Sequence, residues 1–174
     1  MEVPAISYID NFLPSYQFKQ ITNVILLPHF PWYWNEETLD PKHYKHHNPN
    51  NYQFTHRIFH SADGGILSDY YSLCDIIQQK LGVRKLSRIK MNLLPQTFFH
   101  RKGGMHTDLG GLPSIQKTAI FYLNTNNGWT EFKKGGKVKS VANRMVIFDS
   151  NIEHQGVTCT DKKRRVVINF NYDI

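Results

Sequence analysis

From Leu86 to its end the chain is a succession of short apolar segments divided by turn residues, and this pattern restricts the fold more than any other feature. The segments are Leu86 to Leu94, Thr118 to Asn124, Asn127 to Phe132, Met145 to Ser150, His154 to Val157 and Arg165 to Phe170. Strands of this length with turn signals between them build an antiparallel sandwich or barrel. The stretch Asn124 to Gly128 and the run Lys134-Gly135-Gly136 read as hairpin turns. Ala142-Asn143-Arg144 and Thr160 to Lys163 read as further turns. Side chains two apart in a strand share a face. Leu86, Arg88, Lys90 and Asn92 therefore lie on one side of the first segment, and Ile89, Met91 and Leu93 on the other.

The first half of the chain is less regular. Ser15 is placed to cap a helix in which Phe18, Ile21, Val24 and Ile25 recur at helical spacing, and Pro28 stops it. The stretch 28–51 combines Trp32-Tyr33-Trp34 with Pro41, His43, His46, His47 and Pro49. Its three histidines read as part of a solvated loop; a flap over an active site and a second metal site are the other readings. The three aromatics read as core anchors in preference to a substrate wall. Tyr52 to His60 is expected to be a strand. Residues 66–81 are expected to be an amphipathic helix capped by Gly82, with Cys74 in its apolar stripe. The expected class is mainly β with flanking helices (α+β). A single domain, 1–174, is expected, with 1–85 as support and 86–174 as the β core.

Composition removes several classes. With 174 residues, 40% of them hydrophobic, the chain is long enough for one domain with a sizeable core. No apolar run approaches the ~20 residues of a membrane helix. The first residues show neither a basic end nor an apolar stretch, so no signal peptide is expected. Two cysteines are too few for a disulfide framework. A cytoplasmic protein without membrane contact is expected. The net charge of +7 permits an acidic partner without demanding one.

One short motif carries metal chemistry. His106-Thr107-Asp108, if extended, sets an imidazole nitrogen and a carboxylate oxygen side by side. Chance gives about one half of such a pair in a chain of this composition, so its meaning comes from its surroundings. His154 is the only histidine downstream of His106, and it follows the apolar segment Met145 to Ser150. Two imidazoles and one carboxylate on one face of a metal suit non-haem Fe(II), because they leave the other positions open for substrate chemistry. His106, Asp108 and His154 are thus the candidate metal ligands.

This order of strands around the histidine–aspartate pair and a later histidine resembles the 2-oxoglutarate- and Fe(II)-dependent dioxygenases, and within them the prolyl 4-hydroxylase-like branch. The resemblance covers residues ~86–172. It implies a double-stranded β-helix, a cupin-like jelly roll, with N-terminal helices packed on one sheet. It also implies Fe(II), 2-oxoglutarate and O2 as cofactor and cosubstrates, and hydroxylation of a substrate with release of succinate and CO2. In that family a basic residue at the start of the last core strand anchors the distal carboxylate of 2-oxoglutarate. Arg165 matches it, opening Val166 to Phe170, while Arg164 would point to the other face. Many relatives carry Ser or Thr two residues further on, where this chain has Val167. Tyr122 matches a tyrosine that reaches the same carboxylate in prolyl hydroxylases, and Asn92 is expected to approach the cosubstrate from the preceding strand. Asp149 matches a strand-end acid of the family and not a ligand.

The expected substrate is a peptidyl or amino-acid side chain. Lys133, Lys134, Lys137, Lys139 and the run Lys162-Lys163-Arg164 are basic enough to touch phosphates, so a nucleic-acid-modifying oxygenase is one alternative. A non-catalytic metal-binding module on the same fold is the other.

Overall fold

The alternation along Lys85–Pro95 organises the molecule, because one face of this strand is apolar and the other polar. Its apolar side chains Ile89, Met91 and Leu93 are buried in the main core. Arg88, Lys90 and Asn92, on the opposite face, are half-buried. The computed structural model describes residues 6–36, 51–108 and 116–174.

Eleven strands and two α-helices are defined among the described residues. They are β1 (Ser7–Ile9), α1 (Ser15–Ile25), β2 (Tyr33–Asn35), β3 (Gln53–His60), β4 (Gly65–Ile66), α2 (Asp75–Leu81), β5 (Lys85–Pro95) and β6 (Lys117–Tyr122). The remainder are β7 (Trp129–Phe132), β8 (Gly136–Lys139), β9 (Arg144–Asp149), β10 (His154–Val157) and β11 (Arg164–Asp173). The larger sheet has the order β1-β9-β6-β11-β5-β3-β2, with β4 paired to β3, and the smaller has the order β10-β7-β8. The pairings are antiparallel throughout.

The larger sheet buries its two faces differently. Ile89, Met91 and Leu93 of β5, Val166, Ile168 and Phe170 of β11, and Phe121 of β6 pack with Ile21 and Ile25 of α1 and Ile77 and Leu81 of α2. Each large apolar side chain buried this way contributes roughly 1.5–3 kcal/mol. This outer face therefore carries most of the stability and leaves the inner face free to be polar. On the inner face, Ile120, Tyr122, Val146, Phe148 and Val167 meet Phe132 and Val138 of the smaller sheet. Towards β5 and β11 the same face turns polar, and the candidate ligands sit there. No helix among the described residues is long and apolar enough to cross a membrane.

Several expectations change. Residues 124–128 do not form a hairpin, since β6 lies in the larger sheet and β7 in the smaller. The connection crosses between sheets, held by Asn126 Oδ1 accepting from Gly128 N and by Asp161 Oδ1 accepting from Asn127 N. A Cβ at Gly128 would lie 2.7 Å from the carbonyl oxygen of Val157, so the crossing requires glycine. The run at 134–136 does turn between β7 and β8, with positive φ at Gly135 and Gly136. The helix expected over 66–81 is shorter. Ile66 pairs with Phe59, a 3-10 turn covers Tyr71–Cys74, and α2 starts at Asp75 and closes on left-handed Gly82. Ser15 makes no side-chain cap; Pro14 precedes the helix, and Asn143 holds the entry by accepting from Leu13 N and donating to Leu13 O. Of the three aromatics read as core, only Trp32 packs against it. Tyr33 and Trp34 are exposed, and Trp34 stacks on Tyr52. His43, His46 and His47 lie outside the described residues.

Candidate metal centre

His106 and Asp108 do not sit on a regular strand. One isolated bridge, His106 with His154, places them: each backbone N–H donates to the other's carbonyl, at 3.0 and 2.9 Å. Asp108 N donates to Ser150 O at 3.1 Å, which ties the next turn to the end of β9. This pairing sets the imidazole rings 4.6 Å apart. One ligand atom from each of His106, Asp108 and His154 lies within 4.8 Å of the others, close enough to hold one ion. His106 Nδ1 contacts Gly104 O and His154 Nδ1 contacts Ile152 O, both at 3.0 Å. A carbonyl at Nδ1 selects the tautomer that leaves Nε2 as a lone-pair donor.

The electrostatics favour a metal. Burial, and then the neighbouring His154, push His106 down to about 4, so its ring is neutral and able to ligate near neutral pH. Burial alone would raise Asp108, but the guanidinium of Arg88 and the two imidazoles hold its carboxyl well below the usual range. Arg88 Nη2 donates to Asp108 Oδ1 at 2.8 Å, while Thr118 Oγ1 and Asn171 Nδ2 donate to Oδ2 at 2.9 and 3.0 Å. Asn171 is itself oriented by Arg88 Nε, at 2.9 Å. The sequence reading missed Arg88, Thr118 and Asn171. The signal was available for Arg88, since strand alternation puts it on the face of Asn92; for the others it required knowing that β6 and β11 flank the same pocket.

Arg88 carries a testable consequence. Without metal, Asp108 depends on it as counter-ion, and removing one partner of a buried pair costs about 3–5 kcal/mol. Arg88→Met is expected to lower the melting temperature of the metal-free protein, and added Zn(II) is expected to restore much of the loss, because the ion replaces the missing charge. Differential scanning calorimetry with and without Zn(II) checks this; a loss that the metal leaves unchanged would sink it.

Arg165 lies on the same inner face, two strand repeats from Asn169 and fully enclosed. Its Nε donates to Ser140 Oγ at 2.8 Å and its Nη2 to Thr130 Oγ1 at 3.0 Å, with the Tyr122 ring 5.4 Å away. Tyr122 OH donates to Thr130 Oγ1 at 2.7 Å. No carboxylate among the described residues pairs with this guanidinium, and burial lowers its pKa. Gly156, two residues after His154 and so facing the same interior, has no side chain. A Cβ there would lie 3.4 Å from Arg165 Nη1. The missing side chain lets the guanidinium pack closely against the β10 backbone. Arg164 points to the helix side, where Nη2 donates to Leu26 O. Asn92 Oδ1 is buried without a hydrogen-bond partner. Asp149 pairs with Lys117, away from the trio.

No protein-family model matches the sequence, and no curated protein matches it. Solved structures do. The chain is similar to an oxidoreductase of the 2OG-Fe(II) oxygenase family from Burkholderia pseudomallei, with a TM-score of 0.69 and 11% identity over 97% of this chain and 85% of that one. It is similar to a Pseudomonas putida prolyl-4-hydroxylase, with a TM-score of 0.59 and 16% identity over 98% and 94% of the two chains. It is also similar to the epimerase SnoN in complex with Fe3+, alpha ketoglutarate and nogalamycin RO, with a TM-score of 0.60 and 10% identity over 98% and 79%. At these identities the likeness lies in the backbone: this chain has the jelly-roll fold of the 2-oxoglutarate and Fe(II) oxygenases.

Proposed function

We propose that the protein is an Fe(II)- and 2-oxoglutarate-dependent dioxygenase that hydroxylates a peptidyl or amino-acid side chain, with release of succinate and CO2. One observation carries this reading: the His106, Asp108 and His154 donors face the same interior as a buried guanidinium that has no carboxylate partner among the described residues. The donor set fits iron, since two imidazoles and one carboxylate gather on one side and leave the rest of the coordination sphere open. When bound, iron supplies the activation of O2 that oxidative decarboxylation of 2-oxoglutarate requires.

The chain's own residues do the positioning. His106 and His154 present Nε2, and Asp108 presents a carboxylate that Arg88, Thr118 and Asn171 keep from rotating. Arg165 takes the distal carboxylate of 2-oxoglutarate, while Ser140 and Thr130 hold its Nε and Nη2 and fix the guanidinium plane. Tyr122 lies under the guanidinium, and its hydroxyl anchors Thr130. Phe132 and Phe148, with ring centroids 6.2 and 4.7 Å from the His154 ring, exclude water from the metal end. Buried free thiols at Cys74 and Cys159 fit a reducing, cytoplasmic setting.

The test is turnover with Fe(II), 2-oxoglutarate and O2 against capped peptides, free amino acids and oligonucleotides. Succinate and the gain of one oxygen atom are read by mass spectrometry. Turnover with peptides or amino acids is the expected result. Turnover driven by oligonucleotides, with binding that weakens by roughly 10³-fold between about 50 and 200 mM salt, would make nucleic acid the substrate instead. Bound iron without 2-oxoglutarate binding would mark a non-catalytic metal module.

A further inference from the structure

Part of the inner face is left over from the metal ligands and Arg165, and it includes Asn92, which the sequence reading gave to the cosubstrate. Lys90 stands between Arg88 and Asn92 on β5, and Asn169 lies directly opposite it on β11. No carboxylate among the described residues is in ion-pair contact with Lys90. Burial, reinforced by Arg88 and Arg57 and opposed by Asp108, pushes its ammonium down to about 8. Asn92 Oδ1 and Asn169 Oδ1 are both buried acceptors with no partner among the described residues. A native fold rarely leaves a cation and two acceptors unpaired within a few side chains of one another.

Charge gives the direction. Arg88, Lys90 and Arg165 project into one interior, and Asp108, the carboxylate that meets them, is engaged by Arg88. A divalent iron and a doubly ionised 2-oxoglutarate cancel each other, so loading the site leaves the cationic excess in place. Arg165 is positioned for the cosubstrate, whereas Lys90 remains without an anion. The two amide oxygens beside it need hydrogen-bond donors, which an inorganic anion alone does not carry, so the group that suits all three atoms joins an anion such as a carboxylate to a neighbouring N–H.

We propose that Lys90, Asn92 and Asn169 form a subsite for the carboxylate and adjacent N–H of the primary substrate, a unit carried by a free α-amino acid or by the C-terminal residue of a peptide. This rests on the dioxygenase reading only for the statement that the bound molecule is the one oxidised.

The test is nuclear magnetic resonance of 15N-lysine-labelled protein, loaded with Zn(II) and saturating 2-oxoglutarate. The Lys90 ammonium signal is assigned by its absence in Lys90→Arg. Glycine, N-acetylglycine and acetamide are the probes. Glycine is expected to shift the Lys90 signal saturably if the source is a free amino acid, and N-acetylglycine if it is a peptide C-terminus, with acetamide silent. The double variant Asn92→Ala/Asn169→Ala should weaken the response by about tenfold, the worth of the lost hydrogen bonds. Silence to both carboxylates, an equal shift with acetamide, or a shift produced by 2-oxoglutarate alone would overturn the subsite. If 2-oxoglutarate does not bind, the dioxygenase reading fails, and the same titration on the metal-free protein still decides the subsite. Independently, Lys90→Met should melt at a higher temperature than the parent without ligand, since it removes a half-buried, desolvated charge that no carboxylate among the described residues pairs. A lower melting temperature would make Lys90 a structural residue and overturn the proposal.

Discussion

Asp108→Ala is expected to have the largest effect of any single substitution in this protein, on metal retention and on stability together. It removes one of three candidate ligands and the counter-ion of Arg88. Loss of groups that only orient a ligand costs about 10–100-fold in metal affinity, so loss of a ligand should exceed that range. The stranded Arg88 adds about 3–5 kcal/mol of destabilisation, which in a domain of this size lowers the melting temperature by about 2–4 °C per kcal/mol. Asp108→Asn keeps the shape and should lose metal with a smaller fall in stability. His106→Ala and His154→Ala should lose metal without stranding a charge. Iron content after gel filtration, succinate formation and calorimetry separate these effects. Full activity in any one of the three alanine variants would remove that residue from the ligand set.

Arg165→Met is expected to weaken 2-oxoglutarate binding by about 10- to 150-fold, the equivalent of the roughly 1.5–3 kcal/mol that a hydrogen bond to a charged group contributes. Methionine fills much of the volume, so the fold should persist. Because the guanidinium is buried without a carboxylate partner among the described residues, its loss should cost the ligand-free protein little stability or even raise it. Iron should stay bound, since no ligand is touched. Arg164→Ala should leave cosubstrate binding near the parent value, because that side chain reaches Leu26 on the helix side. Isothermal titration with 2-oxoglutarate on the Zn(II)-loaded proteins compares them. A larger effect at Arg164 than at Arg165 would reverse the assignment of the two faces.

Much of this architecture was legible before any coordinates, for reasons that lie in particular residues. Ile89, Met91 and Leu93 alternate with Arg88, Lys90 and Asn92, and a period of two is a local property of the chain that folding preserves. The same alternation separated Arg164 from Arg165, and left-handed Gly82 and the glycines at 135 and 136 announced their turns. Local patterns fail where a partner distant in sequence overrides them. Asn124 to Gly128 has the composition of a hairpin turn, yet bonds from Asp161 and Thr160 lead it from one sheet to the other. Ile66 has helical spacing to Tyr70 and Leu73, yet strand pairing with Phe59 claims it.

The sequence alone determined the succession of strands along the second half, β8 apart, the apolar and polar faces of its long strands, and the short list of side chains able to hold a metal. These follow from periodicity and from the scarcity of suitable donors. Only the tertiary structure decided what surrounds those donors. Arg88 on β5, Thr118 on β6 and Asn171 on β11 are far apart in the chain and meet at one carboxylate because the order β6-β11-β5 sets their strands side by side. The partnerless state of Lys90, Asn92 and Asn169 belongs to that level too, since an unmet hydrogen bond is a property of the whole packed interior and not of any stretch of chain.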